Sequence, residues 1–275
     1  MLVKGAAVNR IFRPLLGAAA LVVGLTGGQA AANAMPVSSV SIACNDVAAL
    51  KAAITAANGG GPSTILLAHS CVYKLTSVAS SDDGLPEVTG TVDLVGFATT
   101  IARVSGPSFT ILEVNGGDLT VSGITLTGGA ESEGGCLEPE GDGTLVLNNV
   151  AIHDCTAGEG GAIYAEDASV TIVGSHIVSN SATDGGGIYI TDGADVQILG
   201  STVAQNLAEF GGGIYLDDGT LLLRNSAVYR NTAFVDGGGL FNDTSPTNVS
   251  IVNSMVASNV PDNCEPIGTI IGCHF

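Results

Sequence analysis

The sequence predicts an all-β protein: a right-handed parallel β-helix, a solenoid of about 25–26 residues per coil with three strands in each coil. Three observations predict it. Five segments recur, Glu133-Gly-Gly-Cys-Leu-Glu138, Glu159-Gly-Gly-Ala-Ile-Tyr164, Gly185-Gly-Gly-Ile-Tyr189, Gly211-Gly-Gly-Ile-Tyr215 and Gly237-Gly-Gly-Leu-Phe241, and their last residues are 26, 25, 26 and 26 apart. An x-L-x-L block keeps the same period through Leu119/Val121, Leu145/Leu147, Val170/Ile172, Val196/Ile198, Leu221/Leu223 and Val249/Ile251. A third column runs Leu126, Ile152, Ile177, Val203, Val228 and Val256. Strands this short cannot bury a face alone, but parallel pairing with the next coil about 4.8 Å away closes a continuous interior.

The N-terminus reads as an address. Lys4, Arg10 and Arg13 form a basic region, Pro14 to Thr26 an apolar one, and Ala32-Asn33-Ala34 the small-x-small pattern of a signal peptidase. Residues 1–34 are expected to be a Sec-type signal peptide cleaved after Ala34, since the apolar run is shorter than the ~20 residues that span a membrane. Residues 35–275 then form a single domain, exported and secreted, without membrane insertion after cleavage.

A solenoid needs caps. Residues 46–57 read as a short amphipathic helix, with Val47, Leu50, Ile54 and Ala57 on one face and Asn45 or Asp46 as N-cap. The six cysteines of an exported chain read as disulfides. Cys44 precedes the helix and Cys71 follows the strand Thr64 to Ala68, so a bridge there staples helix to coil. Cys264 and Cys273 close the tail, 260–275. Cys136 and Cys155 lie in adjacent coils but in different columns, and their pairing stays open.

Asparagine marks the turns. Asn180, Asn206 and Asn231 share one register, occupied by Cys155 and Gly129 in earlier coils, and Asn149, Asn225 and Asn253 share another. Asn accepts left-handed turn conformations, and its amide can bond to the coils above and below. These asparagines read as structural.

The Gly-Gly-Gly-Ile-Tyr signature, its L-x-L strand and the Asn-Ser-x-Val-x-x-Asn turn resemble the bacterial right-handed β-helix repeat proteins of the pectin-lyase-like superfamily. The repeats are similar to those of polymorphic outer-membrane proteins and autotransporter passengers. The resemblance covers about Ile65 to Asn259. It implies a β-helix and a secreted or surface role, often adhesive, without naming a ligand.

Charge narrows the partners. The chain has 26 acids against 8 basic residues, a net charge of −18. Signal removal leaves five basic residues and −21. Nucleic acid, which needs clustered Lys and Arg, is excluded as a partner. Enzymes on this fold cleave polysaccharides, but the chain holds no Gly-His-Gly and no Arg-x-Lys. Its basic residues after the leader are Lys51, Lys74, Arg103, Arg224 and Arg230, of which only Arg224 and Arg230 could pair. His153 and His176 sit in neighbouring coils with no nucleophile at a telling spacing. The reading is therefore a non-catalytic, monomeric protein of binding, adhesive or structural role, with no catalytic residues and no firm cofactor. A polysaccharide lyase or glycoside hydrolase of the pectin-lyase-like superfamily is the alternative.

Two ladders remain as candidate sites. Leu137, Ile163, Ile188, Ile214 and Leu240 are expected inside, with Ala165, Ile190 and Leu216. Alternation turns Tyr164, Tyr189, Tyr215 and Phe241 outward as an exposed strip for a glycan or cell-surface partner. Glu133, Glu159, Asp184, Glu209 and Asp236 form an acidic row before it, and Asp167, Asp192 and Asp218 one after it. Like charges about 4.8 Å apart in water repel by about 0.9 kcal/mol. Calcium, bound weakly, would relieve that repulsion.

Overall fold

The computed structural model describes residues 38–273, apart from 62, 105, 245–247 and 269. The expected signal peptide lies outside the described residues.

Every expected column is a stack of parallel strands. One runs Thr144–Asn148, Ser169–Val173, Ala194–Leu199, Gly219–Arg224 and Val249–Val252, and a second Ala151–His153, His176–Val178, Thr202–Ala204, Ala227–Tyr229 and Met255–Ala257. Two longer strands, Thr91–Arg103 and Asp118–Thr127, span both columns and join them into one 15-stranded sheet. The third column is a separate seven-stranded sheet: Leu112–Asn115, Leu137–Glu140, Ile163–Glu166, Ile188–Thr191, Ile214–Leu216, Leu240–Asn242 and Cys264–Glu265. A two-stranded pair, Leu207–Phe210 with Thr232–Asp236, widens the turn beside it.

The apolar columns meet inside. Ile163, Ile188, Ile214, Val196, Ile152 and Val203 have no solvent exposure. The helix Val47–Asn58 closes the front with Leu50, Ala53, Ile54 and Ala57 buried, and Asp46 caps it by accepting from Ala49 N at 3.0 Å. Three disulfides form. Cys44–Cys71 ties the helix to the first coil, Cys264–Cys273 fastens the tail, and Cys136–Cys155 joins two adjacent coils with Cα atoms 5.8 Å apart.

The turns explain the rest of the repeat. Asn149, Asn225 and Asn253 have φ of +53°, +52° and +49°, the left-handed turn expected of them. The Gly triplets serve close approach. Gly185 has φ +64°, and a Cβ on Gly186 would lie 2.5 Å from Gly212 O of the next coil. Asn206 shows how the buried ladder works. Its Oδ1 accepts from Asn180 N and Nδ2, while its Nδ2 donates to Ile177 O and Asn231 Oδ1. The same pattern continues through Asn231 and Asn259 to Asn263. At the other end Cys155 N donates to Asn180 Oδ1, so a disulfide cysteine heads the ladder. A serine ladder runs beside it, from Val150 N to Ser175 Oγ, then Ser201, Ser226 and Ser254.

Candidate functional site

The outer face of the seven-stranded sheet carries the candidate site. Side chains alternate along its strands, so the residue after each buried Leu or Ile faces outward. Register places Tyr164 beside Tyr189, Tyr189 beside Tyr215 and Tyr215 beside Phe241. The rings stack, with centroids 5.5, 4.9 and 5.0 Å apart and interplanar angles of 13°, 16° and 30°.

Two expectations about this strip need correction. It is not freely exposed: Tyr164 and Tyr189 keep only 7% and 8% of their surface, and Tyr215 and Phe241 are half-buried. The Gly turns fold over it, bringing Gly185 against the Tyr189 backbone and Gly211 against Tyr215 Cβ. The ring faces are also spent on one another. Both faces of Tyr189 are covered, so the strip presents edges and phenol hydroxyls rather than platforms for sugar stacking. Burial, then nearby carboxylates, pushes all three tyrosine hydroxyls well above their ordinary pKa, Tyr215 to about 12. They stay neutral donors.

The column does not end with the aromatics. Leu137 pairs with Ile163, which sets Glu138 beside Tyr164, and Glu113 pairs with Glu138. The bridge between Val88 and Val114 brings Glu87 into line, and Glu265 follows Phe241 at the far end. Carboxylates thus crowd the front of the face. Burial, then the charges of Glu113, Glu133, Asp83 and Glu140, raises Glu138 to about 9. Burial, then Asp83, lifts Glu113 to about 7; burial, then its contact with Glu113, lifts Glu140 to about 7. Asp83, buried, rises to about 6. The sequence reading did not select Glu87, Glu113, Glu138, Glu140, Asp82 or Asp83. The signal was there: Glu138 ends the first Gly-Gly repeat, one period before Tyr164.

The expected acidic rows are placed as follows. Glu133 bridges to Glu159 and Glu159 to Asp184, but the next position is Phe210, not Glu209. The offset of 26 from Ser181 to Leu207 holds through Asp184 and Phe210, so Glu209 falls opposite Thr183, and Phe210 in turn pairs with Asp236. Burial and neighbouring acids raise Glu159 and Asp184. Asp167 and Asp192 occupy left-handed turns, at φ +42° and +47°, and with Asp218 are exposed. Among the described residues, three acids converge to ligand distance in two places, Asp82–Asp83–Glu113 and Asp236–Asp262–Glu265. Of the eight acids expected to hold calcium, only Asp236 belongs to either. A ladder sets like groups one strand spacing apart, which makes pairs rather than cages.

The expected basic pair lies elsewhere. Arg224 pairs with Leu199 and Val252 in the 15-stranded sheet, and Arg230 sits 5.8 Å above the Tyr229 ring. His153 Nδ1 lies within hydrogen-bond distance of Asp154 Oδ2, at 2.8 Å, and His176 is exposed in that same sheet.

Parallel columns, three faces per coil and capped ends define a β-solenoid. The chain belongs to the right-handed β-helix family, whose model, the right handed beta helix region, matches residues 102–264. No curated protein and no solved structure matches it.

Proposed function

We propose that this is an exported β-helix protein that binds a neutral, polyhydroxylated ligand of the glycan class on the outer face of its seven-stranded sheet. The carrying observation is the single column in which Glu113 and Glu138 lead into Tyr164, Tyr189, Tyr215 and Phe241. Neutral phenols donate hydrogen bonds and the carboxyl oxygens of the two glutamates accept them, the two halves of what a sugar diol needs. The net charge of −18 disfavours a polyanion. The export reading rests on the basic-apolar leader and on three disulfides, which suit an oxidising compartment. A glycan array tests the binding: Tyr189→Phe/Tyr215→Phe keeps the stack, removes the hydroxyls, and should cost the signal at least tenfold. Unchanged binding would refute this use of the face.

One observation favours a second reading. Glu138, raised to about 9, is protonated at neutral pH beside other carboxyls, as a glycosidase acid is. Release of reducing ends from a bound glycan, lost in Glu138→Gln, would establish hydrolysis instead.

A further inference from the structure

We propose that Asp82, Asp83 and Glu113 hold one calcium ion at the front end of the outward column. One carboxylate oxygen from each lies within 4.8 Å of the other two. Opposite oxygens around Ca²⁺, with ligand distances of about 2.4 Å, span about the same distance, so three oxygens this close to one another can share one ion.

The second observation is Asp83 itself. It is 1% exposed. Ser80 Oγ donates to its Oδ2 at 2.8 Å, but its buried Oδ1 has no hydrogen-bond donor. A buried carboxylate oxygen left so is costly. The group packed against it, Glu113, is a second carboxyl that hydrogen-bonds Asp83 while it keeps its proton; once that proton is lost, the gap between them calls for something positive. Nearby cations are committed elsewhere: Lys51 Nζ donates to Ser77 O and Val78 O, and Arg103 Nε to Gly128 O. No Lys or Arg makes an ion pair with a carboxylate among the described residues.

The backbone holds the three acids in place. Thr110 N donates to Asp82 O at 2.9 Å and Gly84 N to Thr110 O at 2.8 Å, which joins the Asp82–Asp83 segment to the coil that carries Glu113. Ser81 Oγ donates to Asp82 Oδ1 at 2.6 Å. The donors are all oxygen, which selects a hard cation such as Ca²⁺ over zinc or copper. Asp82 is exposed, so water completes the coordination shell from that side. The site shares Glu113 with the face proposed for glycan, but Asp82 and Asp83 lie outside that column and metal titration reads the site without any glycan, so it survives if that reading fails.

Calorimetric titration of the metal-stripped full chain with calcium chloride at about pH 8 tests it. One ion per chain is expected, with a rise in melting temperature as calcium is added. Asp83→Asn should abolish binding, and Asp82→Asn and Glu113→Gln should each weaken it at least tenfold. Asp82 is exposed and its replacement leaves the interior intact, so it carries the test if Asp83→Asn does not fold. Asp236→Asn, in the other acidic triplet, should change nothing. Absence of both heat and a melting shift overturns the proposal. So does full affinity in Asp82→Asn and Glu113→Gln, or a loss that follows Asp236→Asn instead. Magnesium binding as tightly as calcium would overturn the choice of ion.

Discussion

Glu113 and Glu138 are register partners on adjacent parallel strands, so two carboxyl groups stand one coil apart on the same outward face. Both have pKa values above the ordinary 4.5, Glu113 at about 7 and Glu138 at about 9. Asp83, Glu87, Glu133 and Glu140 surround them.

That crowding gives the fold an unusual pH slope. Each raised carboxyl holds a proton in the folded state that the unfolded chain releases. Stability from these groups is therefore greatest in acid and falls as pH rises from about 4 to about 9. In calcium-free buffer the melting temperature should be higher at about pH 5 than at about pH 8. Glu138→Gln should raise the value at about pH 8 and flatten the slope. A melting temperature that climbs with pH over this range contradicts the account.

The tyrosine ladder and the core behind it should separate cleanly. Ile188→Ala or Ile214→Ala opens a cavity among fully buried neighbours and should cost about 2–5 kcal/mol. Tyr189 stacks on two rings, each pair worth about 0.5–1.5 kcal/mol. Tyr189→Ser should thus destabilise noticeably, whereas Tyr189→Phe should leave unfolding in urea nearly unchanged. Equal losses from Phe and Ser would mean that the hydroxyl, not the stack, supports the fold.

Asn206→Ala removes the acceptor for two donors of Asn180 and leaves Ile177 O and Asn231 Oδ1 each short of one bond. Stranding buried donors costs about 1–3 kcal/mol each. Chemical denaturation should show a loss of about 2–5 kcal/mol. Asn225→Gly, in an exposed left-handed turn, should be close to neutral. Similar effects from the two would dismiss the ladder as a source of stability.

The Cys136–Cys155 bridge spans 19 residues and joins neighbouring coils. Replacing both with Ser should lower stability by about 3 kcal/mol, the chain entropy of a loop that size. Peptide mapping without reductant should recover three bridged pairs. A free thiol at any of the six positions runs against the assignment.

Much of this was legible in the sequence because a solenoid writes its packing at a fixed period. The buried columns through Ile188, Val196 and Val203 follow from spacing alone, as do the turns at Asn149 and Asn225. The ring burial of Tyr189 was not legible, because alternation gives the facing of a side chain and not what folds over it. Glu209 was misplaced because it is the acid next to the row position, which the 26-residue offset from Asp184 gives to Phe210. The pairing of Cys136 with Cys155 joins different columns, and period alone does not give that distance. The acid cluster escaped because its column changes chemistry at Tyr164. The period continues into Glu138 and Glu113, but a search for like residues stops at the last aromatic.

The asparagine ladder has a consequence for length. Asn180, Asn206 and Asn231 give and take the same bonds, so each coil has a plug on one edge and a matching socket on the other. Excising residues 181–206 would bring Asn180 onto the acceptor that Asn206 now uses, and shorten the rod by about 4.8 Å. Turns absorb a difference of one residue, since repeats of 25 and 26 residues stack in register, but a one-residue cut inside a strand would turn its inward side chains to water. Whole coils are therefore the units in which the ladder can be shortened or lengthened, and the height of the stack is adjustable only in steps of one turn.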